Sequence, residues 1–397
     1  MSLNETPGAN RIHIGFYGKR NSGKSSLINA FTGQQVAIVS DVAGTTTDPV
    51  YKPMEVHGIG PCVFIDTAGV DDVGELGKMR VEKTEKAAEK TDIAVLLFSG
   101  EEYQAELEWF HYFKEKHTPT LCVLSKADTL TDSDSIAAQL REETKQEILV
   151  ISSKSKEDIE KFKEELIRLV PDDYGEETIT GALVEEGDLV LLVMPQDIQA
   201  PKGRLILPQV QTLRELLDRK CLVMSTTTDK MTDALAALSH APKLIVTDSQ
   251  VFGYVYEHKP AESMLTSFSV LFAAYKGDLP YYVESARAID ALKPSSRVLI
   301  AECCTHAPLA EDIGRVKLPN LLRKRVGEEL TVDITSGTDF PDNLSQYDLV
   351  IQCGACMFNR KYVLSRIDRA RTQHVPMTNY GVAIAHLTGI LDKVSMP

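Results

Sequence analysis

The sequence lacks any apolar run close to the ~20 residues that a membrane-spanning helix requires. Its first residues do not form the basic, apolar segment of an export signal. Positive charge is scarce, since 43 Lys and Arg stand against 57 Asp and Glu and leave a net charge of −14. Binding to a phosphate backbone requires clustered basic residues. We therefore expect a cytoplasmic protein with no membrane contact and no nucleic-acid partner.

The remaining composition is that of a globular protein, with 43% apolar and 25% charged residues. A chain of 397 residues is long enough for two or three domains that each bury a core. An acidic, Gly-containing stretch at residues 172–177 is typical of a linker. We predict α/β domains at residues 1–170, 171–270 and 271–397.

The clearest motif is GKRNSGKS at residues 18–25, between an apolar run at 12–17 and a helix-like run at 26–31. This is the P-loop pattern in its strand–loop–helix setting, in which backbone N–H groups wrap a phosphate chain at a helix N-terminus. Lys24 is then placed to reach the β- and γ-phosphates, and Ser25 to bind Mg²⁺. The sequence therefore predicts a nucleoside triphosphate site.

Apolar strand-like runs alternate with helical patterns after this loop, most clearly at residues 62–65, 93–98, 121–124 and 148–151. The alternation predicts a doubly wound, mostly parallel sheet whose loops meet at the carboxyl ends of the strands.

Polar motifs follow these strands. Asp66 and Gly69 belong to DTAG, where a carboxylate can hold Mg²⁺ through water and a Gly N–H can meet the γ-phosphate. Thr46 lies in the preceding GTTTD loop, and its hydroxyl can complete the Mg²⁺ shell. SKAD at residues 125–128 and SSK at residues 152–154 follow later strands.

In this order, the motifs resemble the translation-factor-like GTPases, in the branch that contains the tRNA modification GTPase MnmE. The resemblance implies that GTP is the nucleotide, that Asp128 reads guanine and that Thr46 or a neighbour is the switch threonine; Ser125 stands where the family has Asn. The residues that we expect to contact the nucleotide are Gly18, Asn21, Gly23, Lys24, Ser25, Ser26, Asp66, Gly69, Lys126, Asp128, Ser153 and Lys154.

The hydrolytic residues differ from those of Ras-like enzymes. Val70 stands where a water-orienting Gln would be, and the sequence shows no evident arginine finger. In the MnmE-like branch, an Asn at the position of Asn21 is associated, together with the loop at 41–44, with a K⁺ ion that supplies the missing charge. We predict slow, K⁺-stimulated GTP hydrolysis with Glu75 as the candidate for positioning water. The alternative role for Asn21 is loop capping.

The middle of the chain shows strand-like runs at 189–194, 221–224 and 244–247, separated by helical patterns at 209–219 and 231–238. This pattern predicts a small α/β domain with a parallel sheet. No catalytic constellation is evident there, and a helix or sheet edge in this region is available for dimerisation.

Thiols mark the last domain. A strand-like run at 297–301 leads into ECCTHAP, and another at 349–352 leads into CGAC at residues 353–356. Strand ends of a parallel sheet can bring such thiols into one crevice. Three interpretations fit: a structural zinc site that uses four cysteines or replaces one by His306, a redox Cys-x-x-Cys pair, and an iron–sulfur cluster held by three thiolates.

A P-loop GTPase joined to Cys-x-His, 46 residues and Cys-x-x-Cys resembles, over essentially the whole chain, the HydF family of iron–iron hydrogenase maturation GTPases. The pattern falls on Cys304, His306, Cys353 and Cys356. The resemblance implies a GTPase domain, a dimerisation domain and a C-terminal domain in which the three cysteines hold a 4Fe-4S cluster. The fourth ligand is then exchangeable, and His306 is a possible one. Cys303 duplicates the thiol beside Cys304, and the motif spacing favours Cys304.

The resemblance also implies a homodimeric scaffold and carrier. It receives a di-iron precursor, made with two radical-SAM maturation proteins, and passes it to the apo iron–iron hydrogenase. Two alternatives remain, an RNA- or ribosome-associated GTPase with structural zinc and a GTP-regulated electron-transfer protein. A basic run beyond Cys356 fits either compensation of the cluster's charge or a solvated helix face, and consists of Arg360, Lys361, Arg366, Arg369 and Arg371.

Overall fold

The computed structural model of the chain describes residues 8–33, 49–69, 75–171, 174, 177–195, 205–303 and 313–397, without the side chains of residues 75–78. The chain divides into two compact units, Met1–Tyr174 and Gly175–Pro397. Among the described residues, no helix combines the length and the apolar character needed to cross a membrane.

The first unit contains a six-stranded sheet. Its strands are β1 (Ile12–Gly18), β2 (Val50–Val56), β3 (Gly60–Asp66), β4 (Ile93–Phe98), β5 (Thr120–Leu124) and β6 (Ile148–Val150). Its helices are α1 (Lys24–Thr32), α2 (Glu75–Ala88), α3 (Gln104–Glu115), α4 (Ser133–Thr144) and α5 (Lys156–Arg168). The order is β2-β3-β1-β4-β5-β6, with β2 antiparallel to β3 and the remaining pairs parallel. The predicted doubly wound, mostly parallel sheet is confirmed.

Both faces of this sheet are covered by helices, so its central strands are continuously apolar. All six residues of β4 are buried. On β1, Phe16 packs towards α1 and α5, whereas its neighbour Tyr17 packs towards α3. Successive side chains of a strand point to opposite faces, which explains why both neighbours are aromatic and buried.

The second unit contains two four-stranded sheets. The first has strands β7 (Leu189–Val193), β8 (Leu222–Thr226), β9 (Leu244–Thr247) and β10 (Met264–Ser267), with helices α6 (Leu207–Asp218), α7 (Met231–Ala236), α8 (Phe252–His258) and α9 (Phe268–Lys276). The second has strands β11 (Arg297–Ala301), β12 (Thr331–Thr335), β13 (Leu349–Gln352) and β14 (Met377–Asn379), with helices α10 (Leu279–Ala286), α11 (Leu318–Val326), α12 (Arg360–Thr372) and α13 (Tyr380–Leu387). The orders are β10-β9-β7-β8 and β12-β11-β13-β14, with every pair parallel.

These two sheets share one apolar core. Leu191 and Ile245 from the first sheet lie in the same buried cluster as Leu299 and Val350 from the second. The shared burial explains why the two sheets form a single compact unit. The predicted domain boundary between residues 270 and 271 falls within α9 and stays a prediction.

Candidate functional site

The predicted P-loop connects β1 to α1 and contains three residues with positive φ. They are Gly18 at 148°, Asn21 at 58° and Gly23 at 96°. A Cβ atom on Gly18 would lie 2.5 Å from the carbonyl oxygen of Leu97, so only glycine fits there. Asn21 is exposed and adopts a left-handed conformation that asparagine tolerates better than most residues. The loop thus has the tight backbone that its sequence predicts.

The residues expected at the phosphates and Mg²⁺ come together at the start of α1. The Lys24 Nζ atom donates to the carbonyl oxygens of Gly18 and Lys19, both at 2.8 Å. The Ser25 hydroxyl donates to Asp66 Oδ2 at 2.8 Å. The other carboxylate oxygen, Asp66 Oδ1, is buried and accepts no hydrogen bond within the described part of the chain. This unsatisfied oxygen next to a serine hydroxyl fits a hydrated divalent cation.

Burial and two neighbouring side chains act in opposite directions on the pKa of this carboxylate. Burial raises the pKa of Asp66, whereas the Ser25 hydroxyl and the positive charge of Lys24 oppose that rise. A divalent cation would stabilise the ionised form further. The site therefore has the charge distribution that a Mg²⁺–triphosphate complex requires.

Ser125 ties the loop after β5 to the P-loop. Its hydroxyl donates to the carbonyl oxygen of Ser22 at 2.5 Å and to that of Phe98 at 3.0 Å. The neighbouring Lys126 has a φ of 56°, and its Cε atom lies 3.9 Å from where a Cβ on Gly23 would be. Ser125 therefore links the loop that we predict to read the base to the P-loop.

Asp128 lies beside the loop that follows β6. It accepts from Lys154 Nζ at 2.7 Å and from the Ser152 hydroxyl at 2.8 Å. These two hydrogen bonds, that from Lys154 first, lower the pKa of Asp128. Two of the predicted base-site residues thus make direct contact, and Ser152 joins them in addition to the predicted Ser153.

One buried carboxylate near the P-loop was not predicted. Glu106 in α3 has no exposed surface, and its Oε1 accepts from the Lys19 backbone N–H at 3.2 Å. Its Oε2 lies 3.9 Å from Lys19 Nζ. A glutamate within a helical sequence gives no local indication that it will be buried against a loop 87 residues earlier.

Some predicted residues lie outside the described residues. Thr46 and the loop at 41–44 are among them, and for Glu75 only the backbone at the start of α2 is described. Gly69 follows β3, and Ser26 lies half-buried in the first turn of α1. Their roles stay predictions.

The thiols of the second unit follow adjacent strands. β11 and β13 pair directly, with Ala301 opposite Gln352, so Cys303 and Cys353 emerge side by side. From β11 the chain continues to β12 on one side and later to β13 on the other. The carboxyl ends of β11 and β13 therefore flank a topological switch point, where open α/β sheets bind ligands.

Hydrogen bonds connect these thiols. The Cys303 backbone N–H donates to Cys353 Sγ at 3.1 Å. A hydrogen bond with the Cys303 thiol is the main cause that lowers the pKa of Cys353. A lowered pKa favours the thiolate, which is the form that binds metals. Cys303 is buried, whereas Cys353 and Cys356 are partly exposed.

Arg366 in α12 lies against these thiols and is 1% exposed. It donates to Gly337 O at 2.6 Å, to Gln352 Oε1 at 3.4 Å and to Cys303 Sγ at 3.7 Å. Three aromatic rings surround its guanidinium at 4.7–4.9 Å, those of Phe340, Phe358 and Tyr362. For this residue the interpretation as a solvated helix face is wrong, because hydrogen bonds and cation–π contacts replace water.

Lys276, the last residue of α9, is a second buried cation and is 2% exposed. Its Nζ donates to the carbonyl oxygens of Phe358 at 2.7 Å, Ala355 at 3.3 Å and Cys356 at 3.5 Å. Burial lowers the pKa of Lys276 to about 8, and the nearby thiols act in the opposite direction. No feature of the sequence indicated this residue.

The predicted ligands Cys304 and His306 lie outside the described residues. Within the described ranges, no three His, Cys, Asp or Glu side chains form a group that could hold a metal ion. Two of the four predicted ligands, Cys353 and Cys356, are present beside two buried cations. Soft sulfur donors in a positive environment fit a thiolate-bound iron–sulfur group.

Comparison with known proteins gives three family matches. Residues 13–126 match the 50S ribosome-binding GTPase model. Residues 179–277 match the Hydrogen maturase F dimerization domain, and residues 280–397 match the Hydrogen maturase F tetramerization domain.

Individual relatives match the first unit. The tRNA modification GTPase MnmE of Flavobacterium johnsoniae is 33% identical over 169 residues, 41% of this chain and 36% of that protein. GTPase Der of Wolinella succinogenes is 46% identical over 98 residues, 24% of this chain and 20% of that protein. The chain thus spans 36% or less of these relatives. The crystal structure of Aquifex aeolicus Era has a TM-score of 0.37 and 18% identity, and covers 57% of this chain and 98% of that one.

The family matches agree with the geometry. The GTPase match covers the P-loop, Asp66 and the first two residues of the loop after β5, and the two Hydrogen maturase F matches cover nearly all of the second unit. With a GTPase domain in its first unit, the chain belongs to the Hydrogen maturase F family.

Proposed function

We propose that the chain is a GTP hydrolase and an iron–sulfur scaffold that accepts a di-iron precursor of the hydrogenase active-site cluster and delivers it to the apo-hydrogenase. The main supporting observation is the thiol site. Cys303, Cys353 and Cys356 follow adjacent strands, and Lys276 and Arg366 are buried beside them. An anionic, sulfur-rich group needs such positive charge when it is taken out of water. Family membership supports the same function.

The P-loop supplies the hydrolytic half of this function. Lys24 would bind the β- and γ-phosphates and offset the charge that develops on the transferred phosphoryl group. Ser25 and Thr46 would hold Mg²⁺, with Asp66 acting through water. The Asp128 carboxylate would accept hydrogen bonds from the N–H groups of guanine.

Hydrolysis would be slow and K⁺-stimulated. Asn21 would hold the ion near the phosphates, and Glu75 would position the attacking water. Exposure of the Asn21 side chain beside the P-loop backbone supports the first assignment.

Cys304, Cys353 and Cys356 would hold a 4Fe-4S cluster, with His306 as a possible fourth ligand. Such a cluster, bound by three thiolates, offers one iron to an exchangeable ligand. The protein's own contribution is charge and orientation. The Cys303 N–H already donates to Cys353 Sγ at 3.1 Å, and such hydrogen bonds orient metal ligands and tune the metal.

The proposed partners follow from the same function. They are the apo iron–iron hydrogenase, which would receive the di-iron precursor, and two radical-SAM maturation proteins, which would make it. We propose a homodimer, because the middle of the chain matches a domain named for dimerization. We also propose a cytoplasmic location, as the sequence predicts. Nucleotide hydrolysis would gate the association with these partners.

Anaerobic reconstitution with iron and sulfide, followed by EPR of the reduced protein, tests the scaffold. We expect a cluster signal in the parent that cyanide alters, and no signal in the triple variant Cys304→Ser, Cys353→Ser, Cys356→Ser. Cys221→Ser is the matched control, because Cys221 is a buried thiol that packs in the core beside β7 and β9, and its replacement should not affect the signal. One tightly bound zinc ion and no iron uptake would contradict the proposal.

A second measurement tests the cation. GTP hydrolysis should be several-fold faster in K⁺ than in Na⁺ at the same ionic strength, and Asn21→Ala should remove the difference. Equal rates in the two salts would show that the cation assignment is wrong.

A further inference from the structure

The Cys-x-x-Cys loop is held from outside the segment that contains its cysteines. Lys276 ends α9 and belongs to the region that matches the dimerization domain, residues 179–277. Its contacts lie 79 to 82 residues further along the chain, in the loop between β13 and α12. The half of the second unit that contains the β7–β10 sheet therefore supplies a side chain to the thiol loop of the half that contains the β11–β14 sheet.

The contact uses all the donors that an ammonium group has. Lysine carries three N–H donors and no acceptor, and here three carbonyl oxygens lie within 3.5 Å of Nζ, those of Ala355, Cys356 and Phe358. Ala355, between the two cysteines, has a φ of 51°, a conformation that alanine rarely adopts. Three converging carbonyls with a left-handed residue among them indicate a loop whose shape depends on a cation at its centre.

Within the described residues, the hydrogen bonds of the Lys276 ammonium group all go to main-chain carbonyls, and none goes to a carboxylate. Its positive charge therefore acts on the groups next to the loop, and the thiols of Cys356, Cys303 and Cys353 are groups with which it interacts electrostatically. Charge and hydrogen bonding around bound sulfur are the protein's means of setting the reduction potential of a cluster.

We propose that Lys276 is a positioning residue for the thiol site: it fixes the conformation of the Cys353–Cys356 loop and raises the reduction potential of the group bound there. This inference rests on the proposed iron–sulfur function. It adds that the site is incomplete without the last residue of α9.

The test uses full-length Lys276→Met, which keeps the length of the side chain but removes its charge and donors. After reconstitution, an EPR-monitored redox titration should show a more negative reduction potential than in the parent. The reason is that the variant lacks the positive charge that stabilises the reduced, more negatively charged cluster. Loss of iron to a chelator should be several-fold faster than in the parent, because the loop is no longer fixed. Lys276→Arg keeps the charge, so its potential should lie closer to that of the parent than to that of Lys276→Met.

The control is Lys230→Met, which removes an exposed lysine of the same unit whose ammonium pairs with Asp233. It should leave both the potential and the chelator loss unchanged. A parental potential and parental iron retention in Lys276→Met would overturn the inference and leave the scaffold function standing. Equal shifts in Lys276→Met and Lys276→Arg would overturn the role of charge. Failure of the parent itself to form a cluster would overturn the scaffold function and this inference together.

Lys276→Gln keeps the test decisive if the Met variant does not fold, because the Gln amide keeps a donor without the charge. Its circular dichroism spectrum establishes folding, and its potential should shift in the same direction as predicted for Met. A folded Gln variant with the parental potential would overturn the inference.

Discussion

The two sheets of the second unit have the same strand order. When each is numbered in its own chain order, both are arranged 2-1-3-4 with every strand parallel. In both, the fourth strand leads directly into a helix whose first turn is capped by a buried side chain, Ser267 for α9 and Asn379 for α13. The scaffold therefore does not distinguish the two halves.

The strand ends do. After the third strand of the first sheet comes Asp248, which accepts from Gln209 Nε2 at 3.2 Å. After the third strand of the second sheet comes Cys353, beside Cys303. Ligand crevices lie at this edge of an α/β sheet, so one arrangement of strands ends in a hydrogen bond between side chains in one half and in neighbouring cysteines in the other. Function here is determined by the loops rather than by the fold.

The largest expected effect tests this difference directly. Cys353→Ala with Cys356→Ala should abolish iron uptake on reconstitution, because two of the three proposed thiolate ligands are lost. Asp248→Ala, at the matching strand end of the first sheet, should leave iron uptake unchanged. Iron and sulfide bound per chain is the measurement, and equal losses in the two variants would show that the halves do not divide their roles in this way.

Arg366 provides the next comparison, because α12 buries a cation, whereas the buried residues of α8, the helix after the matching strand, are Phe252 and Val255. Arg366→Leu should lower the free energy of unfolding by about 2–4 kcal/mol, since the bonds to Gly337 and the thiol region and the cation–π contacts are lost. Urea denaturation followed by circular dichroism measures the change. Arg371→Leu should cost about 1 kcal/mol or less, because Arg371 is exposed and both its ion pair with Asp278 and its contact with the Tyr281 ring are partly screened by water. Similar losses in the two variants would contradict the structural role of Arg366.

The helices after the fourth strands touch at equivalent positions, Gly381 in α13 and Ser269 in α9. A Cβ on Gly381 would lie 2.5 Å from the Ser269 Cβ. Gly381→Ala should therefore destabilise the unit by about 1–3 kcal/mol, because the helices must move apart. Adding Ser269→Gly should restore part of that loss. Simple additivity of the two free energies of unfolding would show that the two positions do not touch.

The smallest expected effect separates the two capping residues. Ser267→Ala and Asn379→Ala should each cost about 1 kcal/mol as lost helix caps. Asn379 also donates from Nδ2 to the Ser269 carbonyl oxygen at 3.3 Å, and Ser267 also accepts from the Ser249 hydroxyl at 3.2 Å. The two losses should therefore differ by no more than about 1 kcal/mol, with that of Asn379 the larger because an amide donor is lost inside the core. Asn379→Ser keeps an oxygen acceptor for the cap and lacks the amide donor, and should lose only the part due to the donor. Thermal and urea unfolding of the three variants provide the values.

Much of the fold follows from continuous apolar runs. β4 and β11 begin and end where the sequence predicts, because strands buried on both faces have uninterrupted apolar sequences. β2 was not predicted, since its first six residues alternate between exposed and half-buried and include Pro53. β12 was missed for a similar reason, as it is a half-exposed edge strand.

The site was predictable where its chemistry is local. The P-loop follows β1 and Asp66 ends β3, and the spacing of their motifs was enough to predict a role for each. Glu106 and Lys276 were missed because a charged residue in a helical sequence is usually exposed. Their contacts lie about 80 residues away in the chain, so only the folded structure brings them to the loops that they hold.

The core shared by the two sheets has a consequence for how the second unit opens. Leu191 and Leu299 belong to one cluster, so neither sheet can lose its packing without exposing the other. Native-state hydrogen exchange should therefore show the amides of β7 and β11 opening together, with one free energy, as a single cooperative unit. A protease that cuts between α9 and α10 would then release no stable fragment. The half that contains Cys353 and Cys356 would depend on its neighbour throughout its lifetime in the cell.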